Sequence, residues 1–338
     1  MGTDRLQTDE IFRLIASRAE FDINGNFPGK DIVSIEQFSR ADIETVMQYT
    51  ALMEEWYKNG EPSYYSSLLM GREVVVNFAQ PSTRTYTSFV LAAQRLGATV
   101  VGIPDAKASS SFAKDETIED TALTYQSMGV SAIVMRHPDD DSTLRAALAV
   151  HIPIISGGSG KLEHPTQALL DLYTILKETG KRSDELSISF VGDLKNGRTV
   201  HSLVKVLEKT GAKNIYGVSP SALSLPESLV SYLNLHGVSY TALTSVEEAV
   251  EKSDVIYMTR MQKEHMCEGV DHKAMANEFK LTLEMVRKKD GLIIMHPLPR
   301  NDELPPELDK YEGSAYFRQV EYGVFVRMAL LALVLARN

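Results

Sequence analysis

Several short segments gather side chains suited to holding small anions. The first is Gln80-Pro81-Ser82-Thr83-Arg84-Thr85. Ser82 or Thr83 can cap a following helix, leaving backbone N–H groups, hydroxyls and Arg84 at the positive end of the helix dipole. That combination suits a phosphate, although plain helix capping would also explain the Ser-Thr pair. The second is Arg136, at the end of an apolar run, where a guanidinium needs an anionic partner; an ion pair with Asp139 is the alternative to a ligand. The third is His164-Pro165-Thr166-Gln167. His164 near a helix start and Gln167 one turn on can face one point, where an imidazole N–H and an amide suit a carbonyl oxygen; a capping histidine is the plainer reading.

The fourth segment, Gly192-Asp193-Leu194-Lys195-Asn196-Gly197-Arg198-Thr199, differs at one position from the phosphate loop G-x-x-x-x-G-K-[ST], with Arg198 in the lysine position. No acidic strand end for magnesium accompanies it, and no G-x-G-x-x-G points to a dinucleotide. What remains is an arginine at a helix start, shaped to bind a carboxylate through two hydrogen bonds. The fifth comprises Thr259-Arg260-Met261-Gln262-Lys263-Glu264 and His296-Pro297-Leu298-Pro299-Arg300. The prolines flanking Leu298 fix the local backbone and leave carbonyls able to accept hydrogen bonds, or simply make a turn. His265, Cys267 and His272 match no zinc spacing, and no metal is expected.

The elements that must position these residues follow from apolar periodicity. Short β-branched runs at 74–78, 99–102, 132–135, 152–155, 188–192, 215–218, 255–258 and 292–295 predict strands, and helical patterns separate many of them. Leu169, Leu172, Tyr173 and Leu176 recur at helix spacing behind Pro165, as do Val200, Leu203, Val204 and Leu207 ahead of Gly211. This alternation predicts an α/β fold of two doubly wound parallel-sheet domains linked by helices. In such sheets ligands gather beyond the carboxyl ends of the strands, where these segments lie. The expected division is a loosely held extension over 1–30, a first domain over 31–165 and a second over 166–319.

Composition narrows the partners. At 338 residues two domains are the natural expectation. A formal net charge of −10 disfavours nucleic acid and anionic membranes, and makes clustered arginines stand out. Cys267 is the single cysteine, so no intrachain disulfide forms. The start of the chain lacks an apolar signal core, and the longest apolar run, 328–336, falls short of the ~20 residues that span a bilayer. A cytoplasmic protein is expected. Residue chemistry alone thus reaches an α/β enzyme that binds a phosphate-bearing and a carboxylate-bearing small anion.

Taken in order, these segments resemble the aspartate/ornithine carbamoyltransferase family from about residue 31 to the C-terminus. Ser82-Thr83-Arg84-Thr85 alone is moderately specific; the ordered set is very specific. The segment His296-Pro297-Leu298-Pro299 has no cysteine where ornithine enzymes have one, and so resembles members acting on aspartate. Arg198 and Arg260 also suit two carboxylates better than an ammonium. The resemblance implies a carbamoyl-phosphate domain, an aspartate domain, a last helix (within 320–338) returning to the first domain, and a homotrimer with shared sites. It implies that Ser82, Thr83, Arg84, Thr85 and Arg136 hold phosphate, and that Thr85, Arg136 and His164 face the carbonyl oxygen. Gln167 and the Leu298–Pro299 backbone would meet the carbamoyl amide, and Arg198, Arg260 and Gln262 the aspartate. Ser110 and Lys114 would reach a neighbouring subunit's site. No cofactor is implied.

Departures from the family pattern are Gln80 and His265, where bacterial members carry Glu and Arg that help close the domains, together with Tyr86 and Asn196. Two other classes remain open: a paralogue that binds without catalysis, and a nucleotide-dependent kinase using the loop 192–199.

Overall fold

The computed structural model describes residues 21–106, 116–261 and 278–336. The chain divides into two compact units, Met1–Leu170 with Glu321–Asn338, and Asp171–Val320. In the first, β1 (Glu73–Phe78), β2 (Thr99–Ile103), β3 (Ala132–His137) and β4 (Ile154–Ser159) form a wholly parallel sheet in the order β2-β1-β3-β4. In the second, β5 (Ser187–Val191), β6 (Asn214–Val218), β7 (Ser239–Ala242), β8 (Val255–Met258) and β9 (Ile293–Met295) form another, in the order β7-β6-β5-β8-β9.

The helices are α1 (Arg40–Lys58), α2 (Thr83–Arg95), α3 (Ile118–Ser127), α4 (Ser142–Ala149), α5 (Pro165–Thr179), α6 (Arg198–Lys209), α7 (Glu227–Leu235), α8 (Val246–Lys252), α9 (Leu283–Val286) and α10 (Tyr316–Leu335). The boundary between units falls inside α5 and again inside α10. No helix among the described residues is long and apolar enough to cross a membrane.

The doubly wound α/β class is as expected, and the eight expected strands are present. Parallel strands covered on both faces read as continuous apolar runs, which is why Val74, Val75 and Val76 are all within 1% of full burial. The exception is β7: its Ser-Tyr-Thr-Ala sequence pairs only with β6, and its side chains are largely exposed. An edge strand of this kind has no buried face to write into the sequence.

Helix α6 shows the opposite case. Val200, Leu203, Val204 and Leu207 are each fully buried, and Gly211, at φ 93°, takes the left-handed conformation that ends the helix. Each such side chain contributes about 1.5–3 kcal/mol of apolar burial.

Residues 21–30 differ from the expected loose extension. Phe21, Ile23 and Phe27 are buried, Gln37 Nε2 donates to the Phe21 carbonyl (2.8 Å), and Gly29 N donates to the Val334 carbonyl (3.0 Å). Three apolar side chains at irregular spacing are enough to anchor a segment that shows no helical or strand period.

Each sheet has one point where the strand order reverses. In the first it lies between β1 and β3, where Phe78 pairs with Arg136. In the second it lies between β5 and β8, where Val191 pairs with Met258. The connections leaving adjacent strands there run to opposite sides and open a crevice at the carboxyl ends.

Candidate active site

At the first reversal point the chain leaves β1 through Gln80 and Pro81 and enters α2 at Thr83, with Ser82 as the residue before the helix. Ser82 holds extended geometry (φ −158°), but its hydroxyl makes no capping hydrogen bond, so capping does not account for it. The first N–H groups of a helix have no intrahelical acceptor, and α2 carries no acidic residue in its first turn to compete for them. Arg84 is partly buried, and burial alone lowers its pKa from the usual range. Burial penalises the charged guanidinium, a penalty that a bound anion would offset.

Arg136 ends β3. Its Nη1 donates to the Gly157 carbonyl (3.1 Å), and its own carbonyl accepts from Ala79 N (2.8 Å), tying both sides of the crevice together. Gly157 is set by the packing beside it: a Cβ there would lie 2.8 Å from Phe78 Cζ and 3.3 Å from the Met135 carbonyl oxygen.

His164, only 3% exposed, precedes α5, and its Nε2 lies 3.5 Å from Thr85 Oγ1. The His164 carbonyl accepts from Gln167 N (3.0 Å) and Ala168 N (3.1 Å), the start of the helix. Thr85, His164 and the α2 terminus are therefore assembled at one end of the first sheet. Tyr86, one of the departures, turns its ring edge-on to Phe78 and lies against Gly102 of β2.

At the second reversal point β5 leads into the loop 192–199. Gly192 (φ 116°) is needed because a Cβ would collide with the Thr259 carbonyl. Thr259 N and Oγ1 both donate to the Val191 carbonyl (2.8 and 3.0 Å), fixing the segment that carries Arg260.

The buried Asp193 carboxylate accepts from Asn196 N (2.9 Å) and Asn196 Nδ2, while Leu194 N and Lys195 N both donate to the Leu223 carbonyl (3.0 Å). Three amides that a phosphate loop would aim at its ligand are thus already used, and a buried carboxylate sits among them. The kinase reading of this loop fails on that geometry. What the loop does present is Arg198, the first residue of α6, partly exposed like Arg260.

The segment after β9 carries Leu298 and Pro299, joined by a cis peptide bond, with Leu298 at φ 57°. Leu298 N donates to His296 Nδ1 (2.8 Å). Arg300 is occupied by Asp309 and by Tyr316 and plays a structural part. Sequence reasoning missed the buried side chains behind this segment: Glu303, Gln319, Asp171 and Tyr257. Asp171 accepts from Tyr257 Oη (2.7 Å) and Gln319 Nε2 (2.6 Å). The available signal was an acid set directly among Leu169, Leu170, Leu172 and Tyr173.

Ser110, Lys114, Gln262, His265, Cys267 and His272 lie outside the described residues. A cavity of about 720 Å³ occurs in the second unit, but at the amino ends of β8 and β9, beside Asp254 and Leu292. Among its lining charges Lys181 pairs with Asp254 (2.8 Å) and Arg318 with Glu178 (2.6 Å), and it includes none of the candidate residues.

Residues 30–177 match the carbamoyl-phosphate-binding domain of aspartate/ornithine carbamoyltransferases, and residues 184–334 match the Asp/Orn-binding domain. The aspartate carbamoyltransferase catalytic subunit of Methanocella arvoryzae is 42% identical over 92% of this chain and 98% of its own length. The multifunctional protein pyr1-3 of Dictyostelium discoideum is 43% identical over 93% of this chain, which spans 14% of that protein. A crystal structure of aspartate transcarbamoylase from Trypanosoma cruzi, in complex with carbamoyl aspartate and phosphate, superposes with a TM-score of 0.85 at 40% identity, covering 93% of this chain and 98% of that one. With both domain models matched across nearly the whole length, the chain belongs to the aspartate/ornithine carbamoyltransferase family.

Proposed function

We propose that this chain is an aspartate carbamoyltransferase, moving the carbamoyl group of carbamoyl phosphate to the amino group of L-aspartate in pyrimidine biosynthesis. The observation that carries the reading is a cationic crevice in each of the two units. Arg84 and Arg136 flank the reversal point of one sheet, and Arg198 and Arg260 that of the other. One suits phosphate; the other suits the two carboxylates of aspartate.

In this reading Ser82, Thr83, Arg84 and Thr85, with Arg136, bind the phosphate. Thr85, Arg136 and His164 donate to the carbonyl oxygen, and Gln167 with the Leu298 and Pro299 carbonyls meets the carbamoyl NH2. Arg198, Arg260 and Gln262 hold aspartate. Ser110 and Lys114 complete a neighbour's site in a homotrimer.

The chemistry follows. The neutral amine of aspartate attacks the carbonyl carbon and gives a tetrahedral oxyanion. Donors already in place stabilise that charge without reorganising. The C–O bond to phosphate then breaks, and the departing phosphate accepts the amine's proton, so no protein base is required. Holding two anions side by side, against their mutual repulsion, supplies much of the remaining acceleration.

The test offers carbamoyl phosphate with either aspartate or ornithine. Aspartate should be consumed and ornithine left untouched. Turnover of ornithine would reverse the substrate assignment, and binding without turnover of either would leave a non-catalytic paralogue.

A further inference from the structure

Behind the Leu298–Pro299 segment lies a chain of buried hydrogen bonds that the catalytic steps do not use. His296 is 1% exposed and Glu303 5%. His296 Nδ1 accepts from Leu298 N (2.8 Å), which obliges the ring to carry its hydrogen on Nε2. That Nε2–H donates to Glu303 Oε1 (3.0 Å), which also accepts from Asn301 N (2.8 Å). Burial pushes the Glu303 carboxyl up, but the hydrogen bonds from His296 and Asn301 outweigh it and hold the pKa below the usual value, so the acceptor stays anionic. On the other side, His296 N donates to Gln319 Oε1 (3.1 Å), and Gln319 Nε2 to Asp171 Oδ1 (2.6 Å).

The hold has a reason. Leu298 sits at φ 57°, a left-handed conformation that an L residue with a branched side chain adopts only when its surroundings enforce it. The His296 Nδ1 acceptor is two residues away on the same turn, where it fixes the direction of the Leu298 amide and of the carbonyls that follow.

We propose that the His296–Glu303 pair is a positioning device that aims the Leu298 and Pro299 carbonyls, and so sets the preference for a carbamoyl NH2 over an acetyl CH3 on the bound phosphate. This rests on the reading of those carbonyls as acceptors for the carbamoyl amide. A methyl group of the same size offers them no hydrogen, so a correctly aimed pair of carbonyls rejects it by leaving an acceptor unmet. A misaimed pair treats both ligands alike.

The experiment measures binding of carbamoyl phosphate and of acetyl phosphate to the full-length protein by calorimetry, without aspartate. Wild type should favour carbamoyl phosphate. His296→Gln keeps a donor near Glu303 but has no acceptor at the Nδ1 position. It should bind carbamoyl phosphate about tenfold more weakly, the net worth of one or two neutral hydrogen bonds, with acetyl phosphate unchanged. His296→Asn places an amide oxygen where Nδ1 was, the arrangement of an Asx turn, and should restore most of the preference. Equal losses for both ligands, or an Asn variant no better than Gln, would overturn the proposal. If His296→Gln does not fold, Glu303→Leu reads the same ratio, which must also fall. Wild-type protein that binds the two phosphates equally would instead overturn the reading of the loop on which the inference rests.

Discussion

Replacing Arg136 with alanine should lower the turnover number by about two to three orders of magnitude, the usual cost of one donor to a developing oxyanion. The effect should appear at saturating carbamoyl phosphate and aspartate, because the interaction strengthens as charge moves onto the carbonyl oxygen. The guanidinium is held in place before substrate arrives: Nη1 is anchored on the Gly157 carbonyl at 3.1 Å, and the strand end is tied to Ala79. Arg136→Lys should recover little, since an ammonium keeps the charge but cannot use one nitrogen as an anchor and another as a donor in fixed geometry. Steady-state kinetics separate the outcomes. A rise in the carbamoyl phosphate KM with an unchanged turnover number would mean that Arg136 only binds the ground-state anion.

Arg260→Ala should fall on the other substrate. Losing a charge-assisted hydrogen bond costs roughly 1.5–3 kcal/mol, or about 10- to 150-fold in aspartate use. Carbamoyl phosphate binding, measured alone by calorimetry, should barely move, because Arg260 lies just past β8 of the second sheet. An equal loss for both ligands would contradict the division of labour between the two crevices.

What the sequence made legible was whatever leaves a local trace. Buried parallel strands write β-branched runs, so 74–78 and 255–258 read directly. The fold class then puts the arginines beyond the carboxyl ends of such strands, where they stand out against a net negative chain; the strand order that sets the reversal points came only from the structure. β7 left no trace because it buries almost nothing. Residues 21–30 left none because irregular contacts have no period.

The support behind the Leu298–Pro299 segment was invisible for another reason. Gln319 and Asp171 are 148 residues apart, and no local pattern reports a hydrogen bond of that span. The likeness of the loop 192–199 to a phosphate loop was a true feature of the letters. It was resolved only by seeing that the Leu223 carbonyl and the Asp193 carboxylate had already taken its amides.

Energetics at these sites run against stability and in favour of chemistry. A buried polar atom without a partner costs about 1–3 kcal/mol. Asn77, 1% exposed on β1 one residue before Phe78, leaves both amide atoms without a hydrogen bond. Gln80, at the entrance to the phosphate-facing turn, has a buried amide oxygen in the same condition. The surrounding Val and Ile runs offset such costs, which is why the crevice can be rigid and imperfectly satisfied together.

The most direct test of the account follows the bridging oxygen of carbamoyl phosphate. The compound, labelled with ¹⁸O between carbon and phosphorus, is mixed with L-aspartate and the protein, with no nucleotide present. Attack on the carbonyl carbon predicts carbamoyl aspartate and phosphate in equal amounts, with the label entirely in the phosphate. Absence of carbamoyl aspartate would contradict the account at its centre, and phosphate released without the label would show that the P–O bond, not the C–O bond, had broken.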